Sequence, residues 1–317
     1  MNWTAILAGD GQCRLIDADE AAAYAGPGFI WSHIESGDEF ELPPFVRADM
    51  PDVAANALVA TETRPRCDRI GDGAIINIRG PSAIETQDSD RLVSIRMWVR
   101  RGRVDSVTRR SLAATAAVVD RMKAGTILDP GDLVAAYARE ISATLDPQVA
   151  DLGDQLDDCE SELQDGNKFR LRTAITRIRS EAIAFRRFVA PDRDALTTLA
   201  GYDFEWLGED DRLHIREAAD RFARMAEELE AVRERAALLH EQITDLRAEQ
   251  TDQRALYISV VAFIFLPLTF ITGLLGMNVQ GIPYAHATWA FWGVVGFCVL
   301  IAVAVLGWFV RRQWLQR

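Results

Sequence analysis

Residues 255–310 contain no Asp, Glu, Lys or Arg, although 26% of the whole chain is charged. A soluble helix of such length keeps a polar face, which makes a buried core helix a poor alternative. A membrane-spanning helix needs roughly 20 apolar residues. The tract therefore divides into two spans, 255–276 and 288–310, with Asn278, Gln280, Gly281 and Pro283 marking the turn between them. Cysteine is scarce: Cys13, Cys67, Cys159 and Cys298 lie far apart without a CxxC pair, which argues against a disulfide framework and a cysteine-based zinc centre. The four histidines, His33, His214, His240 and His286, are just as scattered, so no zinc-ligand spacing exists among them. There is no Gly-x-x-x-x-Gly-Lys-Ser/Thr loop, no HExxH and no Gly-x-Ser-x-Gly, which leaves an enzyme the least supported class. A formal net charge of -12 argues against nucleic acid as a partner.

The charge that is present is placed asymmetrically. Met1-Asn2-Trp3-Thr4 lacks the basic start of a signal peptide, so the N-terminal part is expected to stay in the cytosol. Arg247 and Arg254 precede the first span, Arg311, Arg312 and Arg317 follow the second, and the connecting loop has no basic residue. By the excess of positive charge on the cytoplasmic side, both termini face inward. Tyr284, Trp289 and Trp292 cluster near one expected water boundary, and Trp308 and Trp314 near the other, as interfacial aromatic belts do.

Ahead of the spans, short apolar runs at 4–7, 28–31, 74–78 and 92–99 alternate with turn residues. Arg101-Gly102-Arg103 separates the last run from 104–107 in the manner of a hairpin. Residues 1–125 thus read as an αβ sandwich, making the soluble part α+β. Beyond it the periodicity turns helical, with Asp129 as an N-cap, Pro130 at the first helical position and Pro147 expected to kink or divide the helix. Residues 126–208 form a helical hairpin region, in which acidic Asp151, Asp154, Asp157, Asp158, Glu160, Glu162 and Asp165 precede basic Lys168, Arg170, Arg172, Arg177, Arg179, Arg186 and Arg187. Neutralisation of one helix by the other is the simplest reading, ahead of metal binding by the acidic helix.

From residue 209 no Gly or Pro intervenes until Pro267, so one helix of about 65 residues, roughly 100 Å long, is expected to run into the membrane. Its soluble part, 209–254, carries a seam of Phe222, Met225, Leu229, Val232, Ala236, Leu239, Ile243 and Leu246 that must pack against something. A second stripe reads Glu227, Glu234, Glu241, Asp245 and Asp252 in water, then Ala255, Ser259, Ala262, Leu266, Thr269, Gly273 and Gly276 in the span. Small residues on a membrane helix permit close helix packing. They equally suit a pore wall, where Ser259 and Thr269 offer oxygens to a hydrated cation and the carboxylates below hold it at the exit. Pro267 deprives the carbonyl of Phe263 of its helical partner, which lipid tolerates only where a neighbour or water supplies one. Two spans cannot enclose a path, so the pore reading requires several copies around an axis.

The first span ends in Gly276-Met277-Asn278, followed by the uncharged Val279-Gln280-Gly281-Ile282-Pro283. Glycine permits unusual backbone geometry, and Asn278 offers a neutral carbonyl oxygen. This Gly-Met-Asn motif ends the first of two C-terminal spans, behind a long helix, Tyr202-Asp203-Phe204-Glu205-Trp206 and an αβ domain, while Leu266-Pro267-Leu268-Thr269-Phe270 sits inside the span. The whole chain in this respect resembles the CorA family of divalent-cation transporters. The loop after the motif is similar to that of the zinc-transporting ZntB branch, which commonly reads Gly-Gly-Ile-Pro; Gln280 stands in place of the first glycine, and the acidic residues common in magnesium-transporting members are missing.

The resemblance implies a homopentameric funnel with 209–254 as its stalk helix, 255–276 as an inner ring of pore-lining helices and 288–310 as an outer ring. It also implies a periplasmic loop at 277–287, with Gly276, Met277 and Asn278 as selectivity filter, and a basic cytosolic tail at 311–317. Expected partners are membrane lipid, further copies of the chain and metal ions; the expected setting is a bacterial inner membrane. No cofactor is expected to be held tightly, and the divalent cation, Zn2+ first, is cargo. His286 is a possible proton or metal contact, although an interfacial histidine is usually just solvated. A magnesium or cobalt transporter of the same family, or a membrane-anchored scaffold in which nothing permeates, remain as alternatives.

Overall fold

The computed structural model describes residues 2–37, 40–48, 50–61, 64–84, 92–163, 168–277, 282 and 287–314. It divides into two compact units, Met1–His240 and Glu241–Arg317. The first unit is built on seven strands: β1 Asn2–Leu7, β2 Cys13–Ile16, β3 Phe29–Glu35, β4 Arg66–Ile70, β5 Gly73–Pro81, β6 Leu92–Arg100 and β7 Arg103–Thr108. They form one sheet in the order β2-β1-β3-β7-β6-β5-β4, antiparallel except for the β3–β7 pair. The hairpin expected at Arg101-Gly102 is present: Arg100 pairs with Arg103, and Gly102 takes φ +72, a left-handed conformation that favours glycine. Strands β2 and β4 fall outside the expected apolar runs. Both are edges, and β2 has no fully buried residue, so neither carries the pattern of a core strand.

Helices cover both faces of the sheet. On one side α2 Pro44–Arg47 and α3 Asp52–Val59 meet the even-numbered residues of β3 and β6 and the odd-numbered residues of β5 and β7, in a core of Ile34, Val46, Leu58, Ile75, Trp98 and Val107, while α1 Ala18–Ala23 touches α2 and β1. On the other side lie α4 Ala113–Lys123, α5 Pro130–Ser161 and α6 Lys168–Gly201. There Trp31 and Tyr137 are both fully buried with ring centroids 5.9 Å apart, and the Trp31 indole N–H donates to Ser106 Oγ at 2.9 Å. His33 Nδ1 meets the same hydroxyl at 2.9 Å, and burial pushes its pKa down to about 4. A neutral histidine inside a satisfied polar cluster is a core residue.

Helix α5 runs unbroken through Pro147, so of the two expected outcomes, a kink or a division, the division does not occur. Pro147 and Ala143, whose carbonyl loses its donor, are both exposed, so water satisfies that carbonyl and the helix continues. Helices α5 and α6 bring opposite charges together, with Asp158 and Glu162 at the end of α5 and Arg170 of α6 lining one pocket. Their buried residues, Leu152, Leu156 and Cys159 with Leu171, Ile175 and Ile178, form the contact side, while the recorded ion pairs run to α7 Glu209–Leu275. Arg235 of α7 reaches Asp157 at 2.5 Å and Glu160 at 2.7 Å, and Arg186 of α6 reaches Glu230 of α7 at 2.9 Å. Between α5 and α6 themselves, Arg177 donates to the neutral Gln155 at 2.6 Å.

Asp192 of α6 is fully buried and accepts the backbone N–H of Arg79, in β5, at 3.0 Å. Burial raises its pKa well above the usual carboxylate range, against the opposing pull of the Arg79 N–H and guanidinium. Asp192→Asn keeps the acceptor and is expected to alter stability by less than about 1 kcal/mol, whereas Asp192→Leu orphans the Arg79 N–H at about 1–3 kcal/mol. Denaturant unfolding of the two variants checks this; equal effects would contradict it.

Candidate functional site

Helix α7 spans Glu209–Leu275 without a break and includes Pro267. Seven of the eight expected seam residues, Phe222, Met225, Leu229, Val232, Ala236, Leu239 and Ile243, are buried, and Leu246 is half-buried. Glu227, Glu234 and Glu241 each lie two residues from a seam residue, which at about 100° per residue sets them on the opposite side of the helix. They are exposed, as are Asp245 and Asp252. Packing fixes the orientation of the soluble part of α7, and the carboxylate face is what remains.

The second unit holds the membrane part of α7 and α8 Ala290–Trp314. The apolar windows of both helices have no buried residue within the single chain, and both are long and apolar enough to cross a membrane. Ala255, Ser259, Ala262, Leu266, Thr269 and Gly273 are all exposed. Ser259 Oγ donates to the Ala255 carbonyl at 2.8 Å and Thr269 Oγ to the Phe265 carbonyl at 2.7 Å. Each hydroxyl proton is thus used by the helix itself, leaving the oxygen lone pairs as the outward chemistry. That suits a cation or its water.

Leu266 and Thr269 also line, with Phe263, Pro267 and Phe270, a groove of about 840 Å³ whose far side is Ile301 and Val305 of α8. Nearer the helix ends, Ile271 and Leu275 face Trp289, Gly293 and Phe297 across a space of about 380 Å³. The two spans alone leave these spaces open. Gly276 closes α7 by donating its N–H to Thr272 O at 2.9 Å, and Met277 follows it, exposed. Asn278 and His286 lie outside the described residues.

Sequence reasoning passed over one carboxylate group. Asp129, Asp132 and Asp211 bring oxygens within 4.8 Å of one another, the only such His/Cys/Asp/Glu group among the described residues. Each oxygen has a local task. Asp129 caps α5 through the Asp132 N–H at 2.9 Å, Asp132 accepts from the Leu128 N–H at 2.9 Å, and Asp211 accepts from the Gly208 N–H at 2.8 Å. Asp129 and Asp132 thus cap the start of α5 together, and Asp211 reaches back to the N–H that precedes α7. Spacing along the chain hid the group, because Asp211 is remote in sequence from the other two.

Burial, followed by repulsion from Asp129, raises the Asp211 pKa to about 7. The folded protein therefore keeps a proton that the unfolded chain releases near pH ~4, so stability falls as pH rises from there through about 7 and is level beyond. Asp211→Asn is expected to remove this decline and to be the more stable form at pH 8. Thermal unfolding across pH 5–8 measures it; parallel curves for the two proteins would refute the assignment.

A family model described as CorA-like Mg2+ transporter protein matches residues 26–312. Zinc transport protein ZntB of Pectobacterium carotovorum is 32% identical over 90% of this chain and 88% of its own length. Zinc transport protein ZntB of Yersinia pseudotuberculosis is 31% identical over 98% of this chain and 94% of its own length. Among solved structures, full-length CmaX superimposes with a TM-score of 0.80 at 28% identity, covering 98% of this chain and 96% of that one. The CorA magnesium transporter of Methanocaldococcus jannaschii gives 0.81 at 17% identity, with 98% of each chain covered, a likeness of fold.

Proposed function

The chain belongs to the CorA-like family of divalent-cation transporters, and from that premise we propose that it carries zinc across the bacterial inner membrane, with both termini in the cytosol. The observation that carries the reading is α7 itself: opposite its packed seam runs a face of Glu227, Glu234, Glu241, Asp245 and Asp252 that continues toward Ala255, Ser259, Ala262, Leu266, Thr269 and Gly273. One side of one helix thus changes from carboxylates to small and hydroxyl residues where its surroundings change from water to lipid.

Copies of the chain, five in this proposal, surround an axis with that face inward. Gly276, Met277 and Asn278 stand at the outer mouth, where neutral oxygens hold a cation that keeps part of its water. Ser259 and Thr269 present hydroxyl oxygens along the span, and rings of carboxylates receive the ion below. Binding along such a path has to be weak enough for release. Zinc is favoured over magnesium by the relatives named zinc transport protein and by the uncharged loop after the motif. The magnesium reading keeps support from the description of the matching family model.

Asn278→Ala in liposomes is expected to abolish zinc uptake while assembly persists. Uptake equal to that of the unmodified protein would sink the pore reading. Competition among zinc, magnesium, cobalt and nickel in the same liposomes decides the cargo, and preference for magnesium would overturn the zinc assignment.

A further inference from the structure

Among the described residues, no ion pair joins the acidic face of α5 to Arg172, Arg179 or Arg187 of α6. On α5, Asp151, Asp154, Asp158 and Glu162 are spaced three and four residues apart on one exposed face. Asp157 and Glu160, on a different side of the helix, are the two taken up by Arg235. Asp151 accepts from the Gln155 amide at 2.6 Å, Asp158 and Glu162 border a pocket shared with Arg170 of α6, and among the described residues none of the four makes a salt bridge.

Helix α6 has a matching stripe of opposite sign. Arg172, Thr176, Arg179, Ile183 and Arg187 recur at three- and four-residue steps and are all exposed, with Phe169 continuing the stripe toward the helix start. Among the described residues, Arg172 and Arg179 make no ion pair, and Arg187 lies over the Phe188 ring at 5.7 Å. Ile183 is 48% exposed in the middle of the stripe. In a chain of net charge -12 such an unpaired basic face is out of keeping with the rest of the surface.

We infer that these two faces are the two halves of one head-to-tail interface, in which the basic stripe of α6 in one copy docks on the acidic stripe of α5 in the next. Charge complementarity selects the occupant: each face finds its opposite on a second copy of this chain. The two faces differ, so the contact is heterologous, and a heterologous contact closes into a ring when its rotation permits. It gives the soluble part a contact of its own, in addition to whatever joins the spans. Opposed charges of this kind speed and orient association more than they tighten it, and salt weakens them.

The inference rests on the proposal that several copies surround an axis, and is independent of which ion passes. The test uses the full chain in detergent, with oligomer populations read by native mass spectrometry on dilution. Arg172→Glu with Arg179→Glu, or Asp151→Arg with Asp154→Arg, is expected to move the dissociation midpoint to about tenfold higher protein concentration. The four substitutions together restore opposite charge across the contact and are expected to return the midpoint to that of the unmodified protein. Failure of the fourfold variant to recover while both twofold variants are weakened would overturn the inference, as would twofold variants that dissociate like the parent. On the unmodified protein, raising salt is expected to shift the midpoint the same way, and a salt-independent midpoint would count against the interface without any substitution. A parent protein that is monomeric at all concentrations would instead defeat the underlying proposal of assembly.

Discussion

One helix has to be soluble in two solvents, and the rest of the molecule answers to that constraint. In water, α7 needs an apolar side to pack and a polar side to leave free; in lipid, its backbone must be satisfied from within and its side chains must be apolar. The sequence meets both by changing residue type without breaking the helix, from Glu241, Asp245 and Asp252 to Ala255, Ser259 and Ala262. Ser259 and Thr269 are admissible in the span because their protons go to carbonyls of the preceding turn. Pro267 is the exception, since it removes a donor inside the span, and it lies beside the open groove toward α8.

The soluble part of α7 is oriented by the helices it packs on. Met225, Leu229, Ala236 and Ile243 are fully buried, and Arg235 and Glu230 then meet Asp157, Glu160 and Arg186. The apolar seam contributes most of this, because a buried leucine is worth about 1.5–3 kcal/mol. Partly exposed pairs such as Arg235 with Asp157 contribute about 1 kcal/mol or less, so they choose rotation and register more than they hold the helix down.

The αβ sandwich, the unbroken long helix and its seam were legible because each rests on a periodicity that tertiary structure did not need to override. Strands β1, β3, β5, β6 and β7 are central or long and apolar. Strands β2 and β4 are edge strands, Cys13–Ile16 and Arg66–Ile70, whose polar residues match no burial pattern; backbone pairing to a neighbour makes them strands, and a single segment does not reveal its neighbour. Pro147 misled for a related reason, since its cost depends on whether the carbonyl it frees meets water or core. The stripes on α5 and α6 were visible as charge, but which charges face each other depends on helix rotation, which only the packed residues set. Of the candidate path, the exposed face of α7 was legible as far as Met277, while Asn278 lies outside the described residues.

A zinc carrier without a cluster of histidines and cysteines is chemically coherent. Zinc held by three or four imidazole or thiolate ligands is held firmly, as structural and catalytic centres require. A path needs the opposite: sites whose oxygens compete only modestly with the ion's own water, so that it can leave. Scattered His33, His214 and His240 fit that demand, and His33 is withdrawn altogether, neutral and buried against Ser106. Selectivity then has to come from geometry around a hydrated ion instead of from ligand softness, which places the burden on repeated copies of a short motif about an axis. A single chain offers one such motif, so the proposed zinc path makes assembly part of the chemistry of recognition.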